Sequence, residues 1–201
     1  VAELLYETSK PDLDLDGIKS VFERDVTMSY KLLRYANSPI FRRRKEISTI
    51  KQALVTLGSA ELKRFLGLMF AVSVNPDKPN ELINLCMARA KFCELIAEEA
   101  NVNVDTSIAF LTGLLSMIDA ILDQDIETIL ENLPLAQEIK ETLLTRKGVM
   151  AAFIKLVEFT EQADWDKTEL VMKKLGLNKD TVVKSYNEAL AWADEQSELT
   201  T

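Results

Sequence analysis

Four consecutive cations, Arg42-Arg43-Arg44-Lys45, are the densest concentration of chemistry in this 201-residue chain. Grouped in one loop they could hold a phosphate, an acidic protein surface or a nucleic-acid backbone, and they read equally well as a solvated loop. No Phe or Tyr interleaving follows them to stack bases, which argues against nucleic acid. A second concentration is acidic: Asp119, Asp123, Asp125 and Glu127. Asp119 and Asp123 stand at i,i+4 if one helix carries both, where a hard cation such as Mg²⁺ could bind. No calcium-loop pattern surrounds them, and Asp123 or Asp125 has a simpler use as the N-cap of a following helix. The two cysteines, Cys86 and Cys93, fall seven residues apart. On a helix that is roughly 10 Å along the axis, beyond disulfide reach, so they read as small core residues in a reducing, cytoplasmic compartment. The chain has no histidine, which removes Ser-His and Cys-His nucleophiles, imidazole metal ligands and a His base. No P-loop, Gly-x-Gly-x-x-Gly or Cys-x-x-Cys motif is present.

Charge is unevenly spread. Residues 24–64 hold ten basic and three acidic side chains, a local +7. The whole chain is −8, so the remainder carries −15. That split argues against wholesale nucleic-acid binding and leaves room for a local anionic contact. At 47% hydrophobic and 28% charged, the composition is that of a folded globular chain. No apolar run reaches the eighteen or so residues of a membrane span, so no membrane insertion is expected. The first residue is Val rather than Met, which reads as a piece of a longer protein.

The elements that must position these groups are helices throughout. Residues 1–9 look like the end of a helix, and a new one starts near Asp14–Gly17. In Asp25–Asn37 the apolar positions Val26, Leu32, Leu33 and Ala36, with Met28 and Tyr30 nearby, suit a helix packed on more than one side. Asn37-Ser38-Pro39 stops it, because Asn tolerates the left-handed conformation and Pro39 biases Ser38 away from helix. Ser48 or Thr49 caps the next helix, Thr49-x-x-Gln52 fits a capping box, and Gly58 closes it. Ser59–Val74 is apolar all round and therefore buried. Glu81–Ala100, Ser107–Leu122, Asp123–Leu133, Leu135–Leu144 and Gly148–Glu161 follow. A helix opened by Asp166 or Thr168 ends at Gly176, and Asp180–Glu195 is last, with Val182, Val183, Tyr186, Leu190 and Trp192 to dock it. No stretch alternates like a strand, so the fold class is all-α.

The pattern Asp25…Leu32-Leu33…Asn37-Ser38…Phe41…Ile47-Ser48…Gln52-Ala53…Leu57-Gly58 resembles the signature of the HDOD domain, a helical relative of the HD phosphohydrolases. The resemblance is dense over residues 12–75 and continues more loosely to about 133. It implies an HD-like orthogonal bundle, with Asp25, Leu33, Asn37, Ser38, Ser48, Ala53, Leu57 and Gly58 as structural signature residues. HD phosphohydrolases carry a Gly-Leu-Leu-His-Asp-Ile-Gly type motif whose His and Asp bind metal. Here Gly113-Leu114-Leu115-Ser116-Met117-Ile118-Asp119 is the comparable run, so the ligand positions are Ser116 and Met117. The family's first histidine should lie on the Glu81–Ala100 helix, where none is found. Neither Ser nor Met suits a hard metal, and the resemblance implies a non-catalytic member with no metal or cofactor.

The tail adds Leu133-Pro134-Leu135, Glu138-Ile139 and Ala163-Asp164-Trp165, which resemble the C-terminal half of bacterial proteins joining an EAL domain to HDOD. The implied organisation is a linker helix from an upstream EAL domain at 1–11, an HDOD core at 12–133 and a C-terminal helical part at 134–201. The implied role is regulatory contact with other signalling proteins or the EAL domain, in cyclic-di-GMP signalling. A residual phosphohydrolase or a nucleotide-binding domain is the alternative.

Overall fold

The computed structural model describes residues 14–38, 41, 47–74, 79–133 and 135–200. Among them every regular element is helical, as the sequence predicts. In chain order they are α1 (Leu15–Arg24), α2 (Val26–Ala36), α3 (Ile50–Val74), α4 (Asn80–Glu99) and α5 (Thr106–Leu114). A 3₁₀ turn (Leu115–Met117) follows, then α6 (Ile118–Leu122), α7 (Ile126–Asn132), α8 (Gln137–Thr145), α9 (Val149–Glu161), α10 (Trp165–Leu175) and α11 (Lys179–Thr200). No single helix among the described residues is long and apolar enough to cross a membrane. The expected helix at residues 1–9 lies outside the described residues.

Short polar side chains set most of the helix starts. Asp14, Asp25, Asp105, Asp125 and Asp164 each accept hydrogen bonds from backbone N–H groups in the first turn of α1, α2, α5, α7 and α10. Those N–H groups have no partner inside the helix, which is why a carboxylate is stable there. The expected openers of α10, Asp166 and Thr168, give way to Asp164, because Ala163 takes a positive φ of 54° and ends the preceding turn earlier.

The centre of the bundle is α4, packed most extensively against α5 on one side and α11 on another. Gly113 makes the α4–α5 approach possible. A Cβ there would stand 2.7 Å from the Arg89 carbonyl oxygen and 2.9 Å from Cys93 Sγ, so any other residue would push the helices apart. One continuous apolar cluster runs from Ile18 to Ala193. α11 joins it through edge-on ring contacts, Phe92–Tyr186 at 6.0 Å and Phe110–Trp192 at 5.8 Å.

Three sequence expectations are corrected by packing. Ser107–Leu122 is not one helix but three pieces, broken at Leu115–Met117. Val26 and Tyr30 do not pack a second side of α2; they are 84% and 64% exposed. Leu190 does not dock α11 but stays 38% exposed, while Val182, Ala189 and Ala193 are buried.

Candidate functional site

The signature stretch closes on one side chain. Asn37 Nδ2 donates to the carbonyls of Leu33 and Ile47, both at 2.8 Å, and its Oδ1 accepts from Ile47 N at 2.8 Å. Asn37 therefore ties the end of α2 to the entry into α3 across ten residues. This corrects the reading of Asn37 as a left-handed terminus: its φ is −95° and its value lies in the amide. Ser38 is buried, and its hydroxyl has no hydrogen-bond partner among the described residues. Thr49 Oγ1 accepts from Gln52 N while Gln52 Oε1 accepts from Ser48 N, each at 3.2 Å. The capping box thus forms, displaced by one residue on its return bond. Ala53 and Leu57 are buried, Leu33 is half-buried, and Gly58 adopts φ 71°, ψ 178° within the span of α3, kinking it. Arg42, Arg43, Arg44 and Lys45 lie outside the described residues.

The run Gly113–Asp119 sits at the break after α5. Ser116 is buried, and its Oγ donates to the Gly113 carbonyl at 2.7 Å. That hydroxyl is spent within its own turn, and Met117 next to it is a half-buried thioether. Neither offers a hard-metal ligand. Among the described residues no group of three or more His, Cys, Asp or Glu is arranged to hold a metal ion. The metal that the HD resemblance implies therefore does not fit this donor set. Asp119 and Asp123 do not form an i,i+4 ligand pair either. Asp123 is the left-handed terminus of α6 (φ 52°), and both are exposed. Asp125, not Asp123, caps α7.

What the structure assembles instead is two ionic networks, one on each side of α4. On the α3 side Arg64 pairs with both Glu61 and Glu94, and Lys91 Nζ reaches Glu94 Oε2 at 2.8 Å. Glu94 is fully buried and Tyr35 OH donates to Glu61 at 2.5 Å. Burial first, and the Glu61 charge next, push the Tyr35 phenol well above its usual range. Lys63 faces inward too, so two of the ten cations counted in residues 24–64 belong to the interior.

On the α9 side Arg89 forms a two-pronged pair with Glu161, Nε to Oε1 at 2.9 Å and Nη2 to Oε2 at 2.6 Å. Glu158 Oε1 lies 3.6 Å from Arg89 Nη1 and 3.2 Å from Arg146 Nη1. Arg146 Nη2 then donates to the Ser116 carbonyl at 3.4 Å. Cys86 and Cys93 lie beside this network as buried free thiols, and burial raises each to about 12. Sequence pattern held half of this: Glu61–Arg64 and Lys91–Glu94 are i,i+3 neighbours on a helix. Arg89 and Glu161 are 72 residues apart, and nothing local marks them as partners.

The helical architecture and the signature closure are those of a domain family, and comparison identifies it. The HDOD domain family model matches residues 1–156, and the chain belongs to that family. Among proteins of known sequence it is 36% identical over 197 residues to the cyclic di-GMP phosphodiesterase CdgJ of Vibrio cholerae. It is 32% identical over 195 residues to the uncharacterized protein YuxH of Bacillus subtilis. These matches cover 98% and 94% of the chain but 46% of each relative, so the chain spans about half the length of the relatives it matches. A solved HDOD domain protein of unknown function from Geobacter sulfurreducens aligns over 96% of this chain and 69% of its own, at 14% identity and a TM-score of 0.44.

Proposed function

We propose that this chain is a non-catalytic regulatory module of bacterial cyclic-di-GMP signalling that works by contact with proteins rather than by turnover. The observation that carries the reading is the turn Leu115–Met117. The ligand positions implied by the HD resemblance are Ser116 and Met117, and the one hydroxyl there is committed to the Gly113 carbonyl. The similarity to CdgJ supports the cyclic-di-GMP connection. Because the chain spans about half of that relative, the turnover named for CdgJ is assigned to sequence outside this chain, as in an EAL domain joined to HDOD. Contact with a signalling partner or with such an EAL domain falls to the cations Arg42–Lys45. The exposed face of α2 adds Val26 and Tyr30, one helical turn apart and both open to solvent. The two buried, unoxidised thiols suit a cytoplasmic protein.

The deciding experiment measures cyclic di-GMP hydrolysis with Mg²⁺ and Mn²⁺ by this chain alone, by the full-length protein, and by the full-length protein lacking this chain. The expected result is no turnover by the chain alone and a changed rate in the full-length protein when it is removed. Turnover by the chain alone would overturn the reading in favour of a residual phosphohydrolase.

A further inference from the structure

The turn between α8 and α9 opens on a cavity of about 430 Å³, within the range of small-molecule sites. The start of α9 forms part of its lining. The N-cap there is Gly148, which has no side chain to cap the helix, so the first N–H groups from Val149 onward are left to an outside acceptor. With the helix dipole they favour a negatively charged group, and Lys147 beside them lines the same cavity.

An independent feature on α8 points the same way. Thr142 also lines the cavity and is only 6% exposed, yet its hydroxyl has no hydrogen-bond partner among the described residues. The other buried threonines, Thr112, Thr160 and Thr168, each donate to the carbonyl four residues back, at 2.7, 2.7 and 2.8 Å. A hydroxyl held out of that bond and away from bulk water is stabilised by a ligand that accepts from it. Beside it α8 contributes two carboxylates to the cavity, Glu138 and Glu141, with Glu141 Oε1 accepting from Gln137 Nε2 at 3.0 Å. Two carboxylates outweigh one ammonium group and the half-charge of a helix N-terminus, so a simple anion is repelled. A simple cation would leave the N–H groups and the hydroxyl unmet. A small molecule carrying both charges satisfies both sets.

We propose that this cavity binds a free amino acid with an apolar side chain. Its carboxylate accepts from the α9 N-terminus and the Thr142 hydroxyl, with Lys147 alongside, and its ammonium group pairs with Glu138 and Glu141. Val149 and Met150 supply apolar surface for the side chain. Such a site is independent of whether the chain turns over cyclic di-GMP, so neither test decides the other.

The test titrates the whole ¹⁵N-labelled chain with L-leucine and L-methionine to millimolar concentration while amide shifts are followed. Two further probes are 4-methylpentanoate and 3-methylbutylamine, which are leucine without its ammonium group and without its carboxylate. At least one of the two amino acids is expected to shift the amides of Val149, Met150 and Ala151 saturably, and each single-charge analogue should bind about tenfold more weakly or worse. Thr142→Val should weaken binding about fivefold, and Glu138→Gln/Glu141→Gln about tenfold, with native helicity checked by circular dichroism. Thr142→Ser keeps the hydroxyl and should bind as the unaltered chain does. If Thr142→Val does not fold, the analogues decide the question on the unaltered chain. No saturable shift with either amino acid overturns the inference, as do shifts confined to places away from the α8–α9 turn. Equal binding by either analogue overturns it too, and so does unweakened binding by a folded Thr142→Val.

Discussion

The two sides of α4 solve opposite electrostatic problems. Toward α3 an anion is buried among cations: Glu94 has no exposure and is held by Arg64 and Lys91, which are 18% and 15% exposed. Toward α9 a cation is enclosed by anions: Arg89 is 11% exposed, while Glu158 and Glu161 are 25% and 15% exposed at the rim. A buried charge is tolerated only when its partners cancel most of the solvation it loses. The difference teaches where each side is fragile. The α3 side depends on a charge with no route to water, whereas the α9 side keeps its carboxylates within reach of solvent and can relax when one partner goes.

The sharpest break in this comparison should come from Glu94→Ala. It leaves Lys91 without its carboxylate partner and Arg64 with Glu61 alone, and is expected to cost about 3–5 kcal/mol in urea unfolding. A loss below that of Glu161→Gln would show that the two sides are not asymmetric as described. Asn37→Ala comes next. It leaves the Leu33 and Ile47 carbonyls and the Ile47 N–H without their amide partner, for about 2–3 kcal/mol. This is the neutral counterpart of the Glu94 change on the same side of the bundle, and equal losses would remove any special weight from charge. Glu161→Gln keeps the shape of the Arg89 pair and leaves Glu158 nearby, so about 1–2 kcal/mol is expected by the same measurement.

The smallest effect is a rate rather than a stability. Cys86 and Cys93 are buried beside the Arg89 network, with thiol pKa values raised to about 12. At pH 8 they are therefore protonated and shielded, and an aromatic disulfide reagent should label them only as the chain unfolds. Glu161→Gln should speed that labelling by loosening the α4–α9 junction, while Asn37→Ala changes it only through global stability. Fast labelling of the unaltered chain would mean that the α9 side opens readily in the native state.

Much of the local structure was legible. Thr49 opens α3 as expected and Gly58 takes the expected positive φ, although it kinks α3 instead of ending it. Both are local because caps and positive-φ glycines act over three or four residues of chain. Local rules also produced specific errors. A continuous helix over Ser107–Leu122 looked secure because SIAFLTGLLSMIDAIL is apolar nearly throughout, yet the chain turns at Leu115–Met117. Asn37 does end its helix and tie it to neighbouring backbone, but from φ −95° rather than the left-handed region, and the stretch of loop it holds lies ten residues on. The break after α5 and the identity of the Asn37 partner Ile47 are not visible without the neighbouring helix or loop. The cation count in residues 24–64 likewise overstated the surface charge, since Lys63 and Arg64 turn inward.

By itself the sequence determined the helical class, the positions of most helix ends, the burial of both thiols and the HDOD signature. Each depends on composition or on contacts within about one helical turn. Tertiary structure alone decided which charges meet. Glu94 finds Arg64 across 30 residues and Arg89 finds Glu161 across 72, because α4 is placed between α3 and α9. Pairing of that kind depends on where helices cross in space, and the one-dimensional pattern carries no term for it.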